Sequence, residues 1–600
     1  MLLGGSDCVC SMKHFTVNFF PDDKQVVIHK GATVLEAAGQ VGIVLNTTCG
    51  GRGTCGKCAV FLQPLGQKIL ACQYEIQSDL TVTIPDSSRF FKQKILSEGL
   101  RRDIKLNPAV CKKTIKVESF DPAQIEAFLN NREDKKFILA NSAIRKLRKL
   151  SCDQSCQFVT AVCHINIKDN GYKVVDFERG DTVEEIWGIA ADIGTTTVVA
   201  KLVDMTNNKS LASEAALNPQ IKYGDDVISR INYANTDEKL SQLQQVIITC
   251  LNRLTAKLCR RIGIDKNNIY EMTIACNTTM NHIFLGWPVK QLGQAPYKPY
   301  SSEAVNTTAI NMGVDINPLG NIYTIENIAG FIGSDTIAVA VAVDIDNVKE
   351  TTLVVDIGTN GEIILAVKDK FYCASCAAGP ALEGARILQG SRAVKGAIEA
   401  VIMNETDIDI DVIGNSPAIS ICGSGLIDAV AVMLDLGIID STGRFVSPQE
   451  LKGKVPEKII KRVSTVDSQP AFKLSKDGQD VFLTQKDIRE TQLAKAAIRA
   501  GIKLLQKKLE LADSDIDCLL LAGAFGNYIR KESALRIGLL PDIACEKIHF
   551  IGNAASSGAE MILLNRHFRS KATELAKKIE YVEIAHEADF SMVYADCMLF

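Results

Sequence analysis

Apolar and polar residues alternate through HFTVNFF and QVVIH on either side of PDDK, a period of two that predicts a hairpin with one buried face. GATVLEAAGQVG then takes helical spacing, and AVFLQPLGQKILACQ and LTVTIP return to strand-like alternation. Residues 13–86 thus read as a compact sheet carrying one helix. Residues 87–115 are charged and weakly periodic and read as a linker. Over 116–186, helix-like DPAQIEAFLNNRED and AIRKLRKLSCDQ interleave with strand-like QFVTAVCHINIKD and YKVVDFERG, which predicts a small α/β domain. From 187 to 600, apolar strands repeatedly end in glycine or small-residue turns and continue as strands or helices.

The chain has 600 residues, 46% hydrophobic and 23% charged, which is apolar material for more than one core. A net charge of −3 gives no electrostatic basis for binding nucleic acid or an anionic membrane. No run approaches the roughly 18–20 apolar residues of a membrane span, and MLLGGSDCVCSMKH is too short and polar for a secretion signal. A cytoplasmic protein is expected, with Met12 a second candidate start.

Most of the 19 cysteines stand singly in apolar surroundings, as in KLCRRIG and IDCLLLAG, and read as small buried hydrophobes. The exception is LNTTCGGRGTCGKC, where Cys49, Cys55 and Cys58 follow a C-x5-C-x2-C spacing, with Cys72 a little downstream. Glycines in that loop let the backbone turn tightly and aim N–H groups at thiolate charge, as an iron–sulfur cluster requires. Structural zinc is the alternative, but zinc ribbons usually pair two C-x2-C knuckles and here there is one.

A second feature is an internal near-repeat. IWGIAADIGTTTVVAKLVD (186–204) lines up with TTLVVDIGTNGEIILAVKD (351–369), each an apolar strand ending in Asp-Ile-Gly-Thr and returning as another strand. Such turns leave room for a phosphate, with threonine hydroxyls and N–H groups as donors. Two of them facing each other would set Asp192 and Asp356 on opposite sides of a cleft, able to hold hydrated Mg2+ against a nucleotide. The bland alternative is a pair of ordinary strand–turn–strand units with Asp-Gly tips. Three further segments, IACNTTMNHIFLG (274–286), LLLAGAFGNYI (519–529) and FIGNAASSGAEMILL (550–564), each join an apolar strand to a small-residue turn and a helix-like run.

Residues 13–86 resemble the [2Fe–2S] ferredoxin family, whose adrenodoxin-like variant shares the x5 spacing. The resemblance implies a β-grasp fold with Cys49, Cys55, Cys58 and Cys72 as cluster ligands. Residues 187–600 resemble the actin, sugar kinase and heat-shock chaperone (ASKHA) superfamily, which implies an ATPase of two lobes, about 187–350 and 351–600. By that resemblance Asp192 to Thr197, including Gly194, Thr195 and Thr196, form the first phosphate loop and Asp356 to Glu362, including Gly358, Thr359, Asn360 and Gly361, the second. Asn277 and Thr278 lie in one connecting segment, Gly552 and Asn553 in the other, and Gly523, Ala524, Phe525 and Gly526 form the adenosine turn. That turn reads AGAFG and departs from the usual double glycine. ENIAGFIGSDTIAVAVAVD, between the lobes, looks like a crossing helix.

The combination, with DIGTTT, CNTTM, DIGTNGE, GPALEGARI, CGSGLID and AGAFGNY in this order, resembles the reductive activators of corrinoid enzymes. The resemblance implies an enzyme that uses Mg2+, ATP and one electron passed through a [2Fe–2S] cluster to return Co(II) to methyl-accepting Co(I). Its implied partners are a corrinoid protein of a methyltransferase system, an external low-potential donor and a second copy of the chain. An activator of 2-hydroxyacyl-CoA dehydratases and an ASKHA small-molecule kinase are the alternatives, and neither accounts for the ferredoxin-like segment.

Other candidates have plainer readings. Cys163 and His164 are neighbours on a strand, so they point to opposite faces and do not join Cys152 and Cys156 in one metal site. Cys373 and Cys376 lack a thioredoxin-like context and read as packing residues. His282 reads as a satisfied structural histidine, and the RKLRK run as a solvated helix face.

Overall fold

The computed structural model describes residues 13–41, 43, 45, 58–64, 66–85, 104–117, 119–131, 135–152, 156–166, 171–224, 226–476, 480–523 and 529–600. The first unit is a five-stranded sheet in the order Lys24–His29, His14–Phe20, Leu80–Thr83, Ala59–Gln63, Gln67–Leu70. His14–Phe20 runs antiparallel to Lys24–His29 and parallel to Leu80–Thr83. The helix Val34–Gln40 starts at a capping box in which Thr33 and Glu36 satisfy each other's backbone N–H groups. Its inward Val34, Ala37 and Ala38 pack with Val17, Phe19, Val60 and Val82 into one core that includes Cys58 and Cys72. This is the expected β-grasp arrangement.

A four-stranded sheet follows in the order Val110–Lys116, Phe158–Asn166, Gly171–Arg179, Phe137–Leu139, with helices Pro122–Asn130 and Asn141–Leu150. Its first strand lies almost wholly within 87–115, so the stretch read as linker ends sooner than expected. The pattern was obscured by Lys112, a charged residue at an inward position. Its ammonium is held by the Glu178 carboxylate and the Glu185 carbonyl, both at 2.6 Å, and lies over the Tyr270 ring.

Residues 187–600 form two six-stranded sheets of matching design. The first runs Lys209–Leu217, Thr197–Asp204, Trp187–Ile193, Ile269–Cys276, Asn321–Thr324, Val305–Thr308, and the second Ile548–Gly552, Cys518–Ala522, Thr352–Ile357, Gly361–Val367, Lys370–Cys376, Ile579–Tyr581. In each, the strand leading into Asp-Ile-Gly-Thr pairs antiparallel with the strand leaving it and parallel with a strand from farther along the chain. Helices Ser334–Ala342 and Ala554–Leu564 cross between the sheets. They approach so closely that a Cβ on Gly558 would stand 1.9 Å from the Ala338 carbonyl oxygen. The crossing helix expected from ENIAGFIGSDTIAVAVAVD is therefore one of a pair, and the pair forms the floor joining the lobes. Two three-stranded sheets, one built from Ala397–Met403, Ile408–Val412 and Ser420–Ile421, are inserted in the second lobe.

Candidate functional site

The two Asp-Ile-Gly-Thr turns face one cavity of about 370 Å³. In the first, Gly194 N–H donates to the Thr197 carbonyl at 2.9 Å, and a Cβ on Gly194 would sit 2.8 Å from that same oxygen, so the turn closes only around glycine. The first turn is braced from behind. Asn218 Nδ2 donates to the Gly194 carbonyl at 2.9 Å, and the buried Arg230 guanidinium donates to the Thr195 carbonyl at 2.5 Å. In the second turn, Gly358 N–H donates to the Asn360 carbonyl at 3.1 Å. The turns touch directly through Thr196 Oγ1 and Thr359 Oγ1, 2.8 Å apart, and Thr359 Oγ1 also donates to Glu383 at 2.7 Å.

The connecting segments close the sides. Asn277 caps the helix Thr278–Leu285 by accepting from Met280 N–H, and its Nδ2 donates to Thr195 Oγ1 at 3.0 Å. Asn553 does the equivalent for Ala554–Leu564, accepting from Ser556 N–H and donating to Asp192 Oδ2 at 3.0 Å. Asp192, Gly194 to Thr197, Asn277, Asp356, Gly358, Thr359, Asn360, Gly523 and Asn553 all line the cavity. Thr278, Gly361 and Gly552 do not. Thr278 is fully buried and donates to the Ala329 carbonyl, Gly361 leaves room for the Cys376 sulfur, and Gly552 adopts φ +61° just before Asn553. Ala524, Phe525 and Gly526 lie outside the described residues.

Carboxylates crowd this cleft. Burial raises Asp192 to about 6 against the opposing hydrogen bond from Asn553. Burial, then the neighbouring Asp335 and Asp192, raise Asp356 to about 7. Burial and Asp192 do the same to Asp335, and burial with Asp335 and Asp356 pushes Glu362 well above the usual carboxylate range. Crowded acids that resist ionisation favour a cation in the same space. Among the described residues no three Asp, Glu, His or Cys side chains converge as a direct metal cage. A cation here fits the donor set through its own water shell, as Mg2+ commonly binds.

In the N-terminal unit, Cys58 and Cys72 are both buried with their sulfurs 3.3 Å apart. The backbone brings them together, since Ala71 N–H donates to the Cys58 carbonyl at 3.0 Å. Two sulfurs this close, reduced and side by side, suit ligation of one metal atom. Cys49 and Cys55 lie outside the described residues.

Comparison with known proteins bears on both sites. Residues 19–77 match the 2Fe–2S iron–sulfur cluster binding domain, residues 187–348 the RACo middle region, and residues 350–600 the C-terminal domain of RACo, the ASKHA domain. The corrinoid activation enzyme RamQ of Eubacterium limosum is 33% identical over 583 residues, covering 95% of this chain and 97% of its own. The chain belongs to the RACo family of corrinoid reductive activators. A solved reductive activator for corrinoid, iron-sulfur protein superposes with a TM-score of 0.76 at 30% identity, over 98% of each chain. The Co(II) methylated amine-specific corrinoid protein reductase of Methanosarcina barkeri is 24% identical over 445 residues, 68% of this chain and 76% of its own.

The family division near 350 falls between the two sheets, where the repeat begins again. Its members are iron–sulfur enzymes built, like this chain, from a 2Fe–2S domain and an ASKHA domain. Among the described residues no helix is long and apolar enough to cross a membrane.

The cleft also holds Glu362, the last residue of the second expected phosphate loop, and four residues that motif reading missed: Asp335, Glu383, Arg392 and Glu399. GPALEG contains Glu383, which therefore had a local signal. Glu399 had none, because it sits where the pairing of Ala397–Met403 with Ile408–Val412 slips between Ile398 and Ala400, a bulge that re-aims a side chain.

The remaining candidates fall as expected. His282 is satisfied at both ring nitrogens, Nδ1 by the Thr278 carbonyl and Nε2 by Tyr300 N–H. Cys373 and Cys376 belong to cores on opposite faces of their sheet, and burial pushes both thiols up. Cys163 is buried in the core of the small α/β domain.

Proposed function

We propose that this protein is an ATP-dependent reductive activator that takes one electron from an external low-potential donor and delivers it to the cobalt of a corrinoid protein. The transfer returns inactive Co(II) to methyl-accepting Co(I) in a methyltransferase system. The observation that carries the reading is the presence, in one chain, of a buried Cys58–Cys72 pair and a cleft closed by two Asp-Ile-Gly-Thr turns. Corrinoid activation and Co(II) reduction are the activities that the names of the relatives state.

Cys49, Cys55, Cys58 and Cys72 would hold a [2Fe–2S] cluster, with Cys58 and Cys72 on the same iron. Such a cluster supplies one-electron storage at low potential. Asp192 and Asp356 would hold hydrated Mg2+, and Thr196, Thr359 and the turn backbones would bind phosphate oxygens. Gly523 packs against the second turn, where a Cβ would stand 2.6 Å from the Ile357 carbonyl oxygen, and Ala524, Phe525 and Gly526 are assigned to the base.

A downhill electron transfer needs no ATP. Each roughly 59 mV uphill costs a factor of ten for a one-electron step, so an acceptor much below a cluster near about −400 mV is not usefully reduced unaided. ATP can shift that equilibrium only by interacting differently with the states before and after transfer. The test mixes pre-reduced protein anaerobically with a cognate corrinoid protein and follows the Co(I) absorption band. Co(I) should accumulate with Mg–ATP and not without it, and equal yields in both would leave an ordinary reductase.

A further inference from the structure

We infer that Arg392 is a catalytic residue for ATP hydrolysis, its guanidinium meeting the terminal phosphate across the cleft and telling ATP from ADP. The inference rests on the nucleotide reading above. Six acids line the cavity, Asp192, Asp335, Asp356, Glu362, Glu383 and Glu399, and among the described residues Arg392 is the one base that does. A polyphosphate adds further negative charge to a space already rich in it. A divalent cation offsets part of that charge, and the far end of the phosphate chain needs another donor.

Arg392 is placed to be that donor. Its Nη2 donates to the Thr196 carbonyl at 3.4 Å, a long contact from the second lobe onto the phosphate turn of the first, and it takes part in no described ion pair. A guanidinium held this loosely exchanges readily for a phosphate, which it meets with a planar fork of charged donors.

The loop that carries Arg392 is tightly folded. Gly384 has φ +80°, and a Cβ there would stand 2.2 Å from the Ser391 carbonyl oxygen. A Cβ on Gly390 would stand 2.0 Å from the Gly384 carbonyl oxygen, so the loop folds on itself without room for side chains. Ser391 N–H donates to Ile421 and Ile421 N–H to Gln389, while the Ser391 and Ser420 hydroxyls lie 2.7 Å apart. One loop thus delivers Glu383 to the second phosphate turn and Arg392 to the first.

In hydrolysis a water oxygen bonds to the terminal phosphorus as the bond from that phosphorus to the bridging oxygen of ADP breaks. The released proton passes to solvent with the phosphate product. Charge spreads over the equatorial oxygens in the transition state, and a fixed arginine there stabilises it. ADP lacks the group that Arg392 meets, so discrimination between the nucleotides follows from the same contact.

The test uses the full chain with Arg392→Ala and Arg392→Lys, measuring ATP and ADP dissociation constants by calorimetry in Mg2+ and the kcat and KM of hydrolysis. The visible spectrum and Tm check folding. Arg392→Ala should weaken ATP by about tenfold or more and ADP by less than about twofold, and should lower kcat by about 10²-fold or more. Arg392→Lys should regain much of the preference for ATP but little of kcat, because an ammonium lacks the fork. Parallel loss of ATP and ADP affinity, or an unchanged kcat in Arg392→Ala, would overturn the assignment. Should Arg392→Ala not fold, Arg392→Lys decides: a lowered kcat supports the inference and a wild-type kcat overturns it. Wild-type protein that binds neither nucleotide ends the nucleotide reading itself, whereas wild-type hydrolysis matched by Arg392→Ala ends this inference alone.

Discussion

Thr196 and Thr359 meet hydroxyl to hydroxyl at 2.8 Å, although 163 residues separate them in the chain. They are not equivalent positions of the repeat, because Thr359 corresponds to Thr195. The contact therefore joins the lobes asymmetrically, with Thr359 Oγ1 donating a hydrogen bond to Glu383. Thr359→Val keeps the shape and removes both bonds. It should cost about 1 kcal/mol in denaturant unfolding of the nucleotide-free protein, and ATP should widen the difference from wild type, because the variant also loses a phosphate contact and gains less from binding. Unchanged stability and unchanged ATP affinity would show the contact to be incidental.

The carboxylate crowding predicts opposite effects on stability and catalysis. Asp192→Asn and Asp356→Asn each remove a charge from a site where burial and repulsion already disfavour it. The nucleotide-free Tm should hold or rise in both variants, while Mg–ATP hydrolysis falls by about tenfold or more. A thermal scan beside an ATPase assay separates the two, and wild-type turnover in both variants would remove these residues from the site.

The same acids predict a pH dependence. Asp192 and Asp356 have folded values raised to about 6 and about 7 from 3.8, so the folded state binds more protons than the unfolded one. Their contribution to stability is fully present below about pH 4 and is lost as pH rises through about 6 to 7. Mg2+ should then raise Tm more at about pH 8 than at about pH 5.5, because the ionised cluster gains a counter-charge. A Mg2+ shift of the same size at both pH values would argue against a cation among these carboxylates.

The sulfur pair predicts a selective spectroscopic loss. Cys58→Ser or Cys72→Ser in anaerobically prepared protein should remove most of the visible absorption, whereas Cys373→Ser, on a thiol buried far from the pair, should keep it. Wild-type protein should carry about two irons and two sulfides per chain. Four-sulfur zinc without iron would exclude the cluster.

What the sequence determined by itself is whatever depends on short spacing. The near-repeat of apolar strands ending in Asp-Ile-Gly-Thr gave the hairpins around Asp192 and Asp356, small-residue turns marked where strands become helices, and Cys58 and Cys72 stood out as members of a tight motif. Lys112 defeated the same method, because its charge is neutralised by Glu178 from a strand two places away in the sheet, which local periodicity does not register. Tertiary structure alone decided which residues share the cleft. Asp335 from the crossing helix, Glu383 and Arg392 from the folded-back loop and Glu399 from a bulge converge with the two turns. Each is set there by strand register, helix crossing and loop closure over long separations. Those depend on how whole layers pack, and a local pattern of apolar and polar residues fixes which face is buried without fixing what it is buried against.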